Sequence, residues 1–184
     1  MAWRKIGQIS VGIVLSALIS ALVGARARAM AGNAHCRPVG GSFMTNLGAI
    51  PGSVGGDPGQ VPSTTLGRVT GDLSGAVAAT ILKVEPSGNN LVFTTQVHIV
   101  TDSGDFIFAD EAHATVAEVP GAATPLFAVV SYPFHITGGT GKFAGATGDL
   151  THFGEVSVPN FASADLSGGT LILRYSGDVC FATP

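Results

Sequence analysis

Six long apolar segments recur along the chain, and each ends at a group of turn-forming residues. They cover 71–85, 91–101, 105–119, 126–139, 142–158 and 170–181, and runs such as PSGNN at 86–90 separate them. Segments of this kind with short Gly-, Pro- and Asn-rich connections favour β-hairpins. Only 11% of the residues are charged and 26 are glycine, a composition that suits strands and tight turns. The sequence therefore predicts an all-β chain.

Two shorter strands, at 42–47 and 66–70, bring the predicted number of strands to seven or eight. Residues 49–63 lie between them, are dense in Gly and Pro, and predict a long surface loop. An antiparallel meander of long, twisted strands tends to close, because closure removes exposed edges. We expect an eight-stranded antiparallel up-and-down β-barrel, with an open β-sandwich as the alternative.

The first 31 residues have the pattern of a cleavable secretory signal. Arg4 and Lys5 precede an uncharged run at 11–23, and small residues follow that run. A membrane-spanning helix needs about 20 apolar residues, so a membrane anchor is the less favoured interpretation. We expect cleavage near 29–31, a single domain over 32–184, and an exported protein, periplasmic or secreted, without a stable membrane anchor.

Removal of the signal would make the remaining domain acidic. Four of the nine basic residues lie within the first 31 positions, whereas all twelve acidic residues lie beyond them. Five basic and twelve acidic residues would remain, which gives a net charge of −7. An acidic surface repels phosphate backbones, so nucleic acid is not an expected partner.

Two cysteines, Cys36 and Cys180, lie near the two ends of the predicted domain. In an oxidising compartment they are expected to form a disulfide, although two free thiols are the alternative. In a meander barrel the first and last strands pair antiparallel, which places the start of one beside the end of the other. The bond would then join the two strands at the barrel seam.

The most distinctive stretch is GGTGKFAGATGDL, at 138–150. Its glycines permit a tight hairpin, and its phenylalanine offers a large apolar side chain after the turn. The stretch resembles the glycine-rich hairpin of the allene oxide cyclase and dirigent barrel superfamily, as found in small exported bacterial members. The matching residues are Gly138, Gly139, Thr140, Gly141, Lys142, Phe143 and Gly148.

That resemblance implies an eight-stranded antiparallel barrel with an apolar cavity, and a trimer by analogy with the plant members. The plant members either cyclise an unstable fatty-acid epoxide or direct the stereoselective coupling of phenolic radicals. The resemblance implies no cofactor for either activity, and we expect none for this chain.

Alternation along the strands sorts side chains by face and suggests a ligand cavity. Phe106, Phe108 and Asp110 share one face of their segment, and Tyr132 and Phe134 share the more apolar face of the next. We therefore expect the three phenylalanines to line a cavity that holds Asp110 and Tyr132 as candidate catalytic groups. Burial would raise the proton affinity of the carboxylate and make it an acid or base. In the alternative, Asp110 is solvated at the barrel mouth.

Three functions are consistent with these patterns. The first is an exported barrel that binds a small apolar or amphipathic ligand. The second is a cofactor-free isomerase or cyclase, and the third is a structural protein with a filled barrel. A cavity larger than about 300 Å³ would support the first two. No metal site is expected, because the pair Glu111 and His113 has no fixed partner in the sequence.

Overall fold

The computed structural model describes residues 35–51, 63–161 and 166–182. They form ten β-strands and one short 3-10 turn, Gly141–Phe143. The strands are β1 His35–Pro51, β2 Ser63–Gly71, β3 Gly75–Ser87, β4 Asn90–Thr101, β5 Phe106–Ala109, β6 Ala112–Glu118, β7 Leu126–Ser131, β8 Pro133–Gly139, β9 Thr147–Ser157 and β10 Thr170–Phe181. Among these described residues, no helix is long and apolar enough to cross a membrane.

The strands close into a single antiparallel barrel. Each of the strands β1 to β4 pairs with the next, and β9 pairs with β10. Both β5 and β6 pair with β4, so β5 and β6 lie end to end and together form one stave of the barrel. Both β7 and β8 pair with β9 and form a second stave in the same way. Pairing of β10 with β1 completes a ring of eight staves. The predicted eight-stranded up-and-down barrel is confirmed, and the open sandwich is wrong.

One extra residue interrupts the stave formed by β5 and β6. On β4, three positions lead from His98 to Thr95, whereas four lead from Phe108 to Ala112 on the paired stave. The stave of β7 and β8 has a matching interruption opposite β9. An extra residue of this kind is a β-bulge, and it moves every following side chain to the other face.

The interruption overturns the placement of three predicted site residues. Phe106 and Phe108 lie on the outer face and are 42% and 40% exposed, and Asp110 is exposed within the interruption itself. Ile107 and Ala109 point inward in their place. The sequence argument carried one alternation through the whole segment, and the extra residue breaks that alternation.

The end of the barrel that contains the β2–β3, β4–β5 and β8–β9 turns is filled by side chains. Leu73, Phe143 and Ala146 are fully buried there, and the ring of Phe143 lies 5.5 Å from that of Phe181. Burying a phenylalanine contributes about 2–3 kcal/mol. We call this the closed end, and Phe143 of the glycine-rich stretch is one of its main apolar groups.

The glycine-rich stretch forms the turn that the sequence predicts. Gly141 has a φ of 52° at the start of the 3-10 turn, in the left-handed region that glycine tolerates. At Gly148, a Cβ atom would collide with the backbone oxygen of Asp178 on the adjacent β10. The first glycine allows the turn, and the second allows close strand packing.

A disulfide joins Cys36 to Cys180, as predicted, and the two residues are directly paired across β1 and β10. The bond therefore crosses the seam where the ring of staves closes. The predicted loop at 49–63 is shorter than expected, because β1 continues to Pro51 and β2 begins at Ser63. Residues 52–62 and the predicted signal at 1–31 lie outside the described residues.

Candidate functional site

An apolar pocket opens at the end of the barrel opposite the closed end, which we call the open end. Its cavity volume is about 40 Å³. Staves from the whole ring contribute to its wall, which consists of Leu47, Thr65, Ala79, Ile81, Phe93, Thr95, Ala114, Val116, Val129, Tyr132, Val156 and Leu171. These twelve side chains include no charged group. The pocket can therefore receive a small apolar group but offers nothing to neutralise a charge.

Tyr132 is a pocket-wall residue whose hydroxyl is hydrogen-bonded to a second wall residue, Thr95. Its Oη lies 2.8 Å from Oγ1 of Thr95, and Oγ1 of Thr95 donates to the Ala112 carbonyl at 3.3 Å. Because a threonine hydroxyl carries one proton, Tyr132 is the donor to Thr95 when both bonds form. Burial raises the pKa of Tyr132 to about 12, and the hydrogen bond with Thr95 lowers it by less. The phenol is therefore protonated at physiological pH and retains lone pairs as acceptors.

Three further hydroxyl groups are buried in the barrel without a hydrogen-bond partner among the described residues. They belong to Thr45, Ser63 and Thr65, which are 5%, 5% and 2% exposed. Thr65 also lines the pocket. A buried hydroxyl without a partner costs about 1–3 kcal/mol, so these three groups lower the stability of the folded barrel.

A buried histidine, His152, lies deeper in the barrel among four aromatic rings. Its ring centre is 4.9 Å from Phe43, 5.1 Å from Tyr132 and 5.6 Å from Phe134. Tyr175 completes the group at 6.1 Å. His152 is 2% exposed. These four rings surround the imidazole with apolar surface, a setting that disfavours a positive charge.

One hydrogen bond sets the tautomer of His152. Its Nδ1 lies 3.2 Å from the backbone oxygen of Tyr132, which can only accept, so Nδ1 carries the proton. Burial lowers the pKa of His152 to about 4, and the bond to Tyr132 opposes this change by less. The imidazole is therefore neutral near pH 7, and its contact with Tyr132 connects it to the pocket.

The structure brings together only part of the predicted site. Tyr132 and Phe134 are inside the barrel, 7% and 2% exposed, but Phe134 does not line the pocket. Asp110 is not among the residues that line the pocket. Its backbone N–H donates to the carbonyl of His135 at 3.0 Å. Sequence reasoning missed both Thr65 and His152 as interior polar groups.

Metal ligands do not converge in the part of the chain that the structure describes. No three His, Cys, Asp or Glu side chains there lie close enough together to hold a metal ion. His113 instead contacts Oγ1 of Thr94 at 3.1 Å, and His98 is exposed on the outer face of β4. The side chains at the open end can therefore offer apolar contact and neutral hydrogen bonds.

Comparisons with known proteins add little to this description. No family model matches the chain, and no curated protein matches it. Among solved structures, it is similar to a pterocarpan synthase dirigent protein over 82% of this chain and 87% of that chain, with 14% sequence identity and a TM-score of 0.32. A TM-score this low carries no argument about fold or function. The closed barrel is established by the strand pairings alone.

Proposed function

We propose that the protein is an exported barrel that binds a small apolar or amphipathic molecule at its open end. The observation that carries the proposal is the apolar pocket, whose wall includes the hydroxyl-bearing side chains Thr65, Thr95 and Tyr132. Apolar walls with a few convergent polar groups are typical of sites for small molecules. At about 40 Å³, the cavity takes only the slender apolar end of such a molecule.

Binding is better supported than catalysis. A cofactor-free isomerase or cyclase needs a group that exchanges a proton at working pH. In the pocket wall the titratable side chain is Tyr132, and its pKa of about 12 keeps it protonated. We therefore place the cyclase alternative behind the binding function.

A structural role is the second candidate, and the cavity volume favours it. The pocket of about 40 Å³ is well below the range of about 300–1,000 Å³ that is usual for ligand sites. Such a barrel would be stabilised by its packed interior and the seam disulfide, and would bind nothing.

Export is supported by the disulfide between Cys36 and Cys180, because disulfides persist mainly in oxidising compartments. Cell fractionation of a strain that expresses the whole chain tests this part of the proposal. We expect the oxidised protein in the exported fraction. Recovery of reduced protein from the cytoplasm alone would contradict export.

Native mass spectrometry of protein from the exported fraction tests the binding function. We expect a species heavier than the polypeptide that loses a small molecule on collisional activation. Protein that carries no small molecule would leave the structural role. The same spectrum reports the oligomeric state, for which the family resemblance predicts a trimer.

A further inference from the structure

We propose that the outer face of β1, β2, β7, β9 and β10 binds a second copy of this chain about a two-fold axis. Exposed apolar side chains are concentrated on this face, and we call them the apolar stripe. Its members are between 42% and 57% exposed and are Leu66, Met44, Ile172, Phe153 and Val130. They are five of the eight large apolar side chains that are exposed in the part of the chain that the structure describes. A contiguous exposed apolar patch of this kind marks an interaction surface.

The strand register makes the apolar stripe continuous. Met44 and Ile172 are directly paired across β1 and β10. Leu66 on β2 and Phe153 on β9 each lie one diagonal step from this pair, a separation that large side chains can bridge. Val130 on β7 extends the stripe beyond Phe153. Open grooves of about 390 and 410 Å³ flank Ile172, and both can receive side chains of a partner.

Two charged side chains within this face indicate which partner covers it. On β9 and β10, Arg174 lies directly across from Phe153, and Glu155 lies directly across from Ile172. Both charged residues are exposed, and neither forms an ion pair with another described residue. The four side chains therefore form a square in which the two apolar groups occupy one diagonal and the opposite charges occupy the other.

A two-fold axis along the apolar diagonal makes this square complementary to itself. Rotation by 180° about the line through Ile172 and Phe153 places each of these side chains against the same side chain of the second copy. The same rotation exchanges the two charged positions, so Arg174 faces Glu155 of the partner subunit, and the reciprocal pair forms across the axis. A lipid or an uncharged ligand on this face would leave both charges without a partner.

This arrangement predicts a dimer, whereas the family resemblance predicts a trimer. A two-fold interface uses the same patch on both subunits, whereas a three-fold axis brings two different patches together. The interface lies on the outside of the barrel and does not involve the pocket at the open end. Dimer formation and ligand binding can therefore succeed or fail independently.

Sedimentation equilibrium of the purified exported protein tests the interface. We expect a dimer for the wild type, and I172D should weaken it at least about tenfold, because each dimer would bury two charges at the centre of the apolar stripe. The matched control is F108D, which makes a similar change at a 40% exposed side chain on β5, outside the stripe. F108D should dimerise as the wild type does. An I172D variant that dimerises as tightly as F108D would overturn the inference.

Charge reversal tests the pairing of Arg174 with Glu155 of the partner subunit. R174E and E155R should each weaken the dimer at least about tenfold, because each places like charges opposite one another twice per dimer. An equimolar mixture of the two variants should restore a heterodimer to within about threefold of the wild-type affinity, since one subunit then supplies two acidic groups and the other two basic groups. A change of fold in either variant would not be repaired by mixing.

Neutral variants cover the case in which a reversed variant does not fold, which circular dichroism reports. R174Q and E155Q should each weaken the dimer by roughly three- to tenfold, since two ion pairs are lost per dimer. Unchanged dimerisation of both would overturn the pairing. Wild-type protein that stays monomeric up to about 100 µM would overturn the interface. A wild-type trimer, or a mixture of R174E and E155R that stays monomeric, would overturn the two-fold arrangement.

Discussion

Replacing His152 should remove a specific part of the pH dependence of stability. The pKa of His152 in the folded protein is about 4, whereas the ordinary value for a histidine is 6.5. Between these two pH values the unfolded chain binds a proton that the folded protein does not, so the free energy of unfolding falls as the pH is lowered. The difference of 2.5 pH units corresponds to about 3–4 kcal/mol in the free energy of unfolding, at about 1.4 kcal/mol for each unit. This contribution is fully present above pH 6.5 and is lost by about pH 4.

The structure explains why protonation is unfavourable. The four rings around the imidazole, from Phe43, Tyr132, Phe134 and Tyr175, offer no carboxylate that could pair with an imidazolium. The substitution H152F retains an aromatic ring in this space and does not titrate. The backbone N–H of position 152 still donates to the Tyr132 carbonyl, so that acceptor keeps a partner.

The assay is urea unfolding followed by circular dichroism at several pH values from 7.5 to 4, without reductant. Carboxylates also titrate in this range, so the informative quantity is the difference in unfolding free energy between the wild type and H152F. We expect that difference to change by about 3 kcal/mol from pH 7 to pH 4. The control is H98Q, which alters an exposed histidine and should follow the wild type. Parallel curves for the wild type and H152F would refute the argument.

Two further predictions concern the fold. Replacing both Cys36 and Cys180 by serine should lower the free energy of unfolding by up to about 5 kcal/mol, because the bond closes a loop with a sequence separation of 144; an unchanged urea midpoint would contradict this role. G41A should destabilise the barrel by more than about 3 kcal/mol, because the added Cβ would collide with the backbone oxygen of Thr70 and the ring of Tyr175. G40A is the matched control, since its Cβ would lie 3.4 Å from the nearest backbone oxygen. Equal unfolding midpoints for the two glycine variants would show that the close approach at position 41 is not required.

Much of the barrel could be predicted from the sequence because its signals are local. Each stave is an apolar segment that ends at turn-forming residues, and β10 at Thr170–Phe181 has the bounds that its segment predicts. The closure was also predictable, since the strands are long and Cys36 and Cys180 flank the meander. The seam follows from antiparallel pairing once the ring closes.

The faces of two staves could not be predicted, because a single extra residue decides them. Phe106 and Phe108 were expected inside together with Tyr132 and Phe134, and the interruption at Asp110 places the first two outside. Asp110 and Glu111 are consecutive and both exposed, and strict alternation would have turned one of them inward. That pair alone does not fix where the extra residue lies. The bulge is required by the pairing with β4, and that pairing is not local.

His152 is a different case, because a signal for it was present. Leu150, His152 and Val156 fall on the same alternating set in β9, and all three are buried. The opposite set contains Asp149 and Glu155, which favours the outer face. Histidine was judged by residue type rather than by its position in this pattern, and the interior imidazole was missed.

The disulfide at the seam makes residues 36–180 a covalent ring as well as a ring of strands. A protease that cuts one turn within this ring, for example at the exposed Gly88 between β3 and β4, would open the backbone without releasing a fragment. Two pieces separate only after the disulfide is reduced, or after a second cut. Persistence in a compartment rich in proteases therefore depends on the redox state of a single bond as much as on the packing of the barrel.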